Sequence, residues 1–169
     1  QAVALGDIDG DGDRDALVGS YGGISRVFRN DGLGAFTDDD QWLGGGFGAT
    51  VTAVRLADFD GDHDLDAWIG LALGALVGND DPGDRLWLND GSGGFTDSGQ
   101  LLGSEYTMDA AVGDVDGDLD LDIVVANYTS AFSPGTNRLY RNNGTGTFTQ
   151  DPQALGTGTH RAVALGRLD

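Results

Sequence analysis

The chain has 169 residues, with nine Lys or Arg against 28 Asp or Glu and a net charge of -19. So few cations argue against a nucleic-acid partner, whose phosphates call for Lys and Arg, and so much negative charge argues against an anionic membrane surface. There is no cysteine, hence no disulfide frame, zinc-thiolate site or thiol chemistry, and no signal peptide or apolar run of about 18 residues is visible, so no membrane insertion is expected.

A short alternating run, AVALGD, comes first. Val3 and Leu5 stand two apart, the period of a strand with one buried face. The window DIDGDGDRD, from Asp7 to Asp15, then places aspartate at every alternate position. It runs directly into ALVGS, which suits a well-buried second strand. SRVFRN alternates again as a third strand, and the Asn-Asp-Gly that follows is a strong turn signal. A short fourth strand around Phe36 completes the unit, and QWLG follows it.

The same order then recurs. TAVRLAD, with Val54 and Leu56, leads into DFDGDHDLD, AWIGL, DRLWLN, NDGSGGFT with Phe95, and QLLG. DAAVGD, with Ala110 and Val112, leads into DVDGDLDLD, IVVAN, NRLYRN, NNGTGTFT with Phe148, and QALG. HRAVALGRLD begins a further copy. The acidic windows start 51 and then 56 residues apart, a period that points to solenoids, propellers or arrays.

The expected fold is all-β, built of four-stranded antiparallel units of the β-propeller type. The units are residues 1–48, with a truncated first strand, then 49–104 and 105–158, with 159–169 starting a fourth. No helical stripe appears. The segments between the second and third strands vary most (SYGGI, LALGALVGNDDPGD, NYTSAFSPGTN), which marks them as loops where binding specificity would diverge. Three blades and a fragment do not make a closed ring, which takes about four to eight. The expectation is therefore a piece of a longer protein, or copies whose blades complete one another.

The three windows hold 15 of the 28 acidic residues. Packed together, such carboxylates raise one another's pKa and oppose folding, and a divalent cation reverses the sign. Oxygen ligands at alternate positions can wrap a hard cation, and Ca²⁺ takes about six to eight of them. Gly10, Gly61 and Gly117, at the fourth position, permit the sharp bend. Mg²⁺ demands stricter octahedral geometry, and zinc and copper want His or Cys. His63 occurs in one window of three and reads as an exposed loop residue. A helix-flanked EF-hand is excluded because its twelfth position, a bidentate Glu, is here Val18, Ile69 or Val125. A solvated acidic turn without metal is the remaining alternative, and three windows in one register weigh against it.

LGDIDGDGDRDALVGSYGG with RVFRNDGLGAFT, and VGDVDGDLDLDIVVANY with RLYRNNGTGTFT, resemble the FG-GAP/VCBS repeats, which also build integrin α-subunit propellers. The resemblance covers essentially the whole chain. It implies Ca²⁺ ligation by the side chains at the first, third, fifth and ninth positions of each window. These are Asp7, Asp9, Asp11 and Asp15; Asp58, Asp60, Asp62 and Asp66; Asp114, Asp116, Asp118 and Asp122. It implies main-chain carbonyl ligation at the seventh position, from Asp13, Asp64 and Asp120. The family's sixth position is commonly Gly, which Gly12 meets and His63 and Leu119 do not. In the partial fourth repeat Arg167 replaces the first Asp, with Asp169 at the third position, so that site is expected to be dead.

The functional expectation is an extracellular, cell-surface or secreted scaffold, structural or adhesive, holding about three Ca²⁺ per chain and partnered by blades of its own or neighbouring chains. A carbohydrate-binding propeller is the alternative, with Trp42, Trp68, Trp87, Tyr21 and Tyr128 as candidate aromatics. Of these, Trp68 and Trp87 read as strand residues. Two histidines, no cysteine and no serine nucleophile motif leave no catalytic constellation, and a non-catalytic part of a secreted enzyme is the third reading. NYT at Asn127 and NGT at Asn143 fit the glycosylation acceptor pattern and are expected in loops or turns.

Overall fold

A computed structural model describes residues 2–22, 24–44, 49–73, 83–128 and 135–166. Arg167, Asp169 and the middles of the second and third variable loops lie outside the described residues. Among the described residues there are twelve strands and no helix, and so no helix long and apolar enough to cross a membrane.

The strands form three antiparallel sheets of four, each in simple chain order. The first joins β1 (Ala2–Gly6), β2 (Asp15–Gly19), β3 (Ser25–Asn30) and β4 (Phe36–Leu43). The second joins β5 (Ala49–Ala57), β6 (Asp66–Leu73), β7 (Asp84–Asn89) and β8 (Phe95–Leu102). The third joins β9 (Tyr106–Gly113), β10 (Asp122–Tyr128), β11 (Arg138–Asn142) and β12 (Phe148–Gln150). These are propeller-like blades, and they do not close a ring.

Each acidic window is the hairpin between a blade's first two strands. The pairs Gly6↔Asp15, Ala57↔Asp66 and Gly113↔Asp122 hold its ends together. Each Asn-Asp/Asn-Gly turn joins the last two strands, closed by Asn30↔Phe36, Asn89↔Phe95 and Asn142↔Phe148.

The alternation of each strand gives a blade two faces, and successive blades bury them against each other. Leu17, Val27 and Leu43 of blade 1 pack with Val51, Val54 and Ile69 of blade 2. Trp68, Leu86 and Leu102 of blade 2 pack with Ala110, Ile123, Val125 and Tyr140 of blade 3. The core is thus two seams between blades.

One expectation fails. Val3 and Leu5 are 63% and 59% exposed, whereas Val54 and Ala110, at the place of Val3 in their blades, are each 1% exposed. The period identified the apolar face correctly. Burial of this face comes from a blade packed against it, as blade 1 covers Val54 and blade 2 covers Ala110.

Candidate metal centre

Each acidic window is folded by its own carboxylates. The first aspartate accepts two backbone N–H groups, from the fourth and sixth positions. Asp7 takes Gly10 and Gly12 at 2.9 and 3.0 Å, Asp58 takes Gly61 and His63 at 2.8 and 3.1 Å, and Asp114 takes Gly117 and Leu119 at 2.7 and 3.2 Å. The fifth aspartate accepts the seventh N–H, at 2.8 Å for Asp11 and 3.0 Å for Asp62 and Asp118. Fourth and sixth residues both take left-handed angles: φ is 76° and 93° at Gly10 and Gly12, 81° and 78° at Gly61 and His63, 85° and 77° at Gly117 and Leu119. A loop so wound points its carboxylates inward.

The ninth aspartate is fully buried in all three windows: Asp15, Asp66 and Asp122 are 0% exposed. One oxygen accepts the second-position N–H, from Ile8, Phe59 and Val115 at 2.9, 2.9 and 3.1 Å. The other accepts the N–H of the turn asparagine, from Asn30, Asn89 and Asn142 at 2.8, 2.9 and 2.9 Å. This residue ties the acidic loop to the turn beside it, and each oxygen keeps a lone pair for a cation. Burial pushes Asp66 up to about 6 against the hydrogen bonds from Asn89 and Phe59, with Asp60 and Asp62 adding repulsion. Asp60 is raised by desolvation and then by Asp62. Asp13 is raised by desolvation and then by Asp11, Asp7 and Asp15.

The seventh aspartate lays its carboxylate against the neighbouring turn. Asp13 lies over Gly32, Asp64 over Gly91 and Asp120 over Gly144, so closely that a Cβ at any of these turn glycines would collide with it.

The clusters that remain have oxygens mutually within 4.8 Å: Asp7, Asp9 and Asp15; Asp58, Asp60 and Asp62; Asp114, Asp116 and Asp122. Three all-carboxylate clusters of this size can hold a metal ion, and the donor set is that of a hard one. The fifth carboxylates Asp11 and Asp118 and the ninth carboxylate Asp66 lie outside these tightest groups, within the same loops. His63 has a 93% exposed side chain with Nδ1 at 3.4 Å from Asp58, in keeping with a loop residue.

The windows are not identical electrostatically. Arg29 contacts Asp9 at 2.9 Å and Arg141 contacts Asp116 at 2.5 Å, both at the third position. Blade 2 has Leu88 in the corresponding place, packed against the seam between blades 2 and 3. Position-by-position reading of the windows missed these guanidiniums. The signal was present in SRVFRN, DRLWLN and NRLYRN, whose fifth letters are Arg, Leu and Arg.

A second set of residues acts between blades. The turn asparagine reaches back to the previous acidic loop: Asn89 Nδ2 donates to the Ile8 carbonyl at 2.8 Å, and Asn142 Nδ2 to the Phe59 carbonyl at 2.7 Å. The glutamine of QWLG and QLLG reaches forward to the next turn. Gln41 Nε2 donates to the Gly93 carbonyl at 2.7 Å while its Oε1 accepts the Phe95 N–H at 3.0 Å. Gln100 repeats this on Gly146 and Phe148, at 2.6 and 2.9 Å. All three repeated motifs therefore meet at the rim of each seam.

One further expectation changes. Asn127 is not in a loop. It belongs to β10, is 1% exposed, and its Nδ2 donates to the Thr136 carbonyl at 2.7 Å while its Oδ1 accepts from Thr107. A glycan has no access to it in the folded chain. Asn143 does occupy an exposed turn, where its Oδ1 accepts Thr145 and Thr147 N–H at 3.1 and 3.3 Å. Of the candidate aromatics, Trp68 is core at 0% exposed, whereas Trp42 and Tyr21 are 63% and 78% exposed and Tyr128 is 37% exposed.

The family of FG-GAP-like repeats matches the chain three times, over residues 7–69, 75–125 and 115–169. No curated protein matches it.

Proposed function

The chain belongs to the FG-GAP-like repeat family, and from that premise we propose that it is an extracellular, calcium-stabilised scaffold whose blades serve structure or adhesion. The observation that carries this reading is the recurrence, in all three windows, of three carboxylates with oxygens within 4.8 Å of one another, the first and third aspartates belonging to each. Such clusters repel themselves unless a cation joins them. In each window the first, third, fifth and ninth side chains would hold Ca²⁺, with the seventh residue contributing its carbonyl. Its side chain lies on the neighbouring turn glycine, which fits that division of labour. The ion would supply charge neutralisation and cross-linking of the hairpin, and no reaction. The carboxylates thus serve a cation rather than acid-base chemistry.

Calcium titration of chelator-treated protein tests the reading, followed by thermal melting. About three ions per chain are expected, with a rise in melting temperature that Mg²⁺ does not match at equal concentration. An unchanged melting temperature in calcium would overturn it.

A carbohydrate-binding role is the second reading. Trp42 supports it: the ring is 63% exposed, with the Arg26 guanidinium 5.5 Å from its centroid. An aromatic face beside polar groups suits a sugar ring. A glycan array probed in calcium distinguishes the two, since a pure scaffold gives no signal.

A further inference from the structure

The three windows share one register but not one set of counter-charges. Arg29, Leu88 and Arg141 are equivalent, since each pairs across the last hairpin of its blade with a threonine: Arg29↔Thr37, Leu88↔Thr96 and Arg141↔Thr149. Two residues beyond that threonine stand Asp39, Ser98 and Asp151. Arginine and aspartate thus occur together in blades 1 and 3, and are replaced together, by leucine and serine, in blade 2. Each charged pair is made within one blade. Arg29 Nε donates to Asp39 at 3.0 Å, and Arg141 Nε to Asp151 at 2.8 Å. So braced, each guanidinium turns Nη1 onto the third aspartate of its window, Asp9 at 2.9 Å and Asp116 at 2.5 Å. In blade 2 an apolar group fills that place: Leu88 lies against Gly146 as the Arg29 guanidinium lies against Gly93. Among the described residues no arginine forms an ion pair with Asp58, Asp60, Asp62 or Asp66.

We propose that Arg29 and Arg141 are built-in rivals of the calcium ion, so that the window of blade 2 fills first and those of blades 1 and 3 fill only at higher calcium. A guanidinium on the third carboxylate neutralises part of the cluster before any ion arrives, and so removes part of the repulsion that a cation would relieve. Once the ion arrives, two cations face one carboxylate at short range and repel each other. Both effects lower the affinity for a divalent cation, and Leu88 exerts neither. Asp39 and Asp151 act through the arginines, by holding them in place. Blade 2, which contributes to both core clusters, is then pinned at low calcium, and the two flanking hairpins respond as calcium rises.

The inference rests on the calcium reading above, and one experiment separates their failures. Calcium is titrated into the chelator-treated full chain and followed by amide NMR. The N–H groups of Gly12, His63 and Leu119, each bonded to the first aspartate of its window, report the three windows separately. The titration is run at pH 8, where an imidazole is ordinarily neutral, because His63 Nδ1 lies beside Asp58. The His63 amide should respond with a midpoint roughly tenfold below those of Gly12 and Leu119. Arg141→Met should lower the Leu119 midpoint by about the same factor, whereas Arg141→Lys, which keeps the charge, should leave it high. Leu88→Arg combined with Ser98→Asp should raise the His63 midpoint to that of the other two windows. Arg141 belongs to neither core cluster, so folding should survive its replacement, and the dispersion of the same spectra checks this. Equal midpoints in the wild-type chain, or a Leu119 midpoint that Arg141→Met leaves in place, would overturn this inference and leave the calcium reading standing. If none of the three amides responds to calcium, the calcium reading itself falls.

Discussion

His63 and Leu119 hold left-handed backbone angles, with φ of 78° and 77°. Gly12 occupies the same place in the first window at 93°. A side chain there clashes with its own backbone, which costs about 1–2 kcal/mol that glycine avoids. His63→Gly and Leu119→Gly should therefore each stabilise the chain by about 1 kcal/mol, less whatever backbone entropy glycine adds to the unfolded state. Denaturant midpoints check this, and a loss of stability in both variants would contradict it. Asp66 supplies a second test at this scale. Its folded pKa of about 6 lies above the ordinary 3.8. A carboxyl raised on folding favours the fold while protonated, so its contribution is fully present below about 3.8 and is lost as pH rises through about 6. In chelator-treated protein the Asp66 carboxyl should titrate near 6 by carboxyl-detected NMR. A value near 4 would mean that burial does not control it.

At the scale of the element, the seam depends on one amide. Gln41 uses its donor on the Gly93 carbonyl and its acceptor on the Phe95 N–H, which only a correctly oriented amide does. Gln41→Ala leaves both backbone groups without that partner and should destabilise by about 1–3 kcal/mol. Gln41→Glu should be at least as damaging, because a carboxylate would face the carbonyl with Asp39 alongside, the neighbour that now accepts from Gln41 Nε2 at 2.6 Å. Chemical denaturation of both variants checks this, and a Glu variant as stable as wild type would contradict it. The strands were legible in the sequence because alternation is a local signal, and each of the four strands per unit formed where its period was read. The aspartate loops were legible because spacing and glycine sit in one nonapeptide. The glutamine was visible as a repeated letter, but its partners lie 52 and 54 residues further on, beyond any local pattern. Asn127 was misplaced for a related reason. β10 runs on to Tyr128, and a sequon does not reveal that the strand continues through it. Val3 and Leu5 mark the other limit, since periodicity names an apolar face and is silent on what covers it.

At the scale of the molecule, no core cluster among the described residues spans all three blades. One cluster joins blades 1 and 2, the other joins blades 2 and 3, and among the described residues blade 2 alone contributes to both. Stacked units of this kind derive stability from intrinsic terms and nearest-neighbour interfaces. Damage should therefore stay near its seam. Leu17, at 0% exposure, belongs to the first cluster, and Trp68, at 0%, to the second. Leu17→Ala should cost about 2–5 kcal/mol and Trp68→Ala about 3–5 kcal/mol, each by emptying space that rigid strands do not refill. Native-state hydrogen exchange resolves where that loss is felt. In Trp68→Ala the amides of β10 and β11 should lose protection while those of β2 and β3 keep most of theirs, and Leu17→Ala should give the reverse. In the wild-type chain β6 should be the most protected strand, because it lies at the centre of the doubly packed blade. Equal loss of protection across all blades in both variants would mean that the seams melt as one unit, and the description of independent neighbouring interfaces would have to be abandoned.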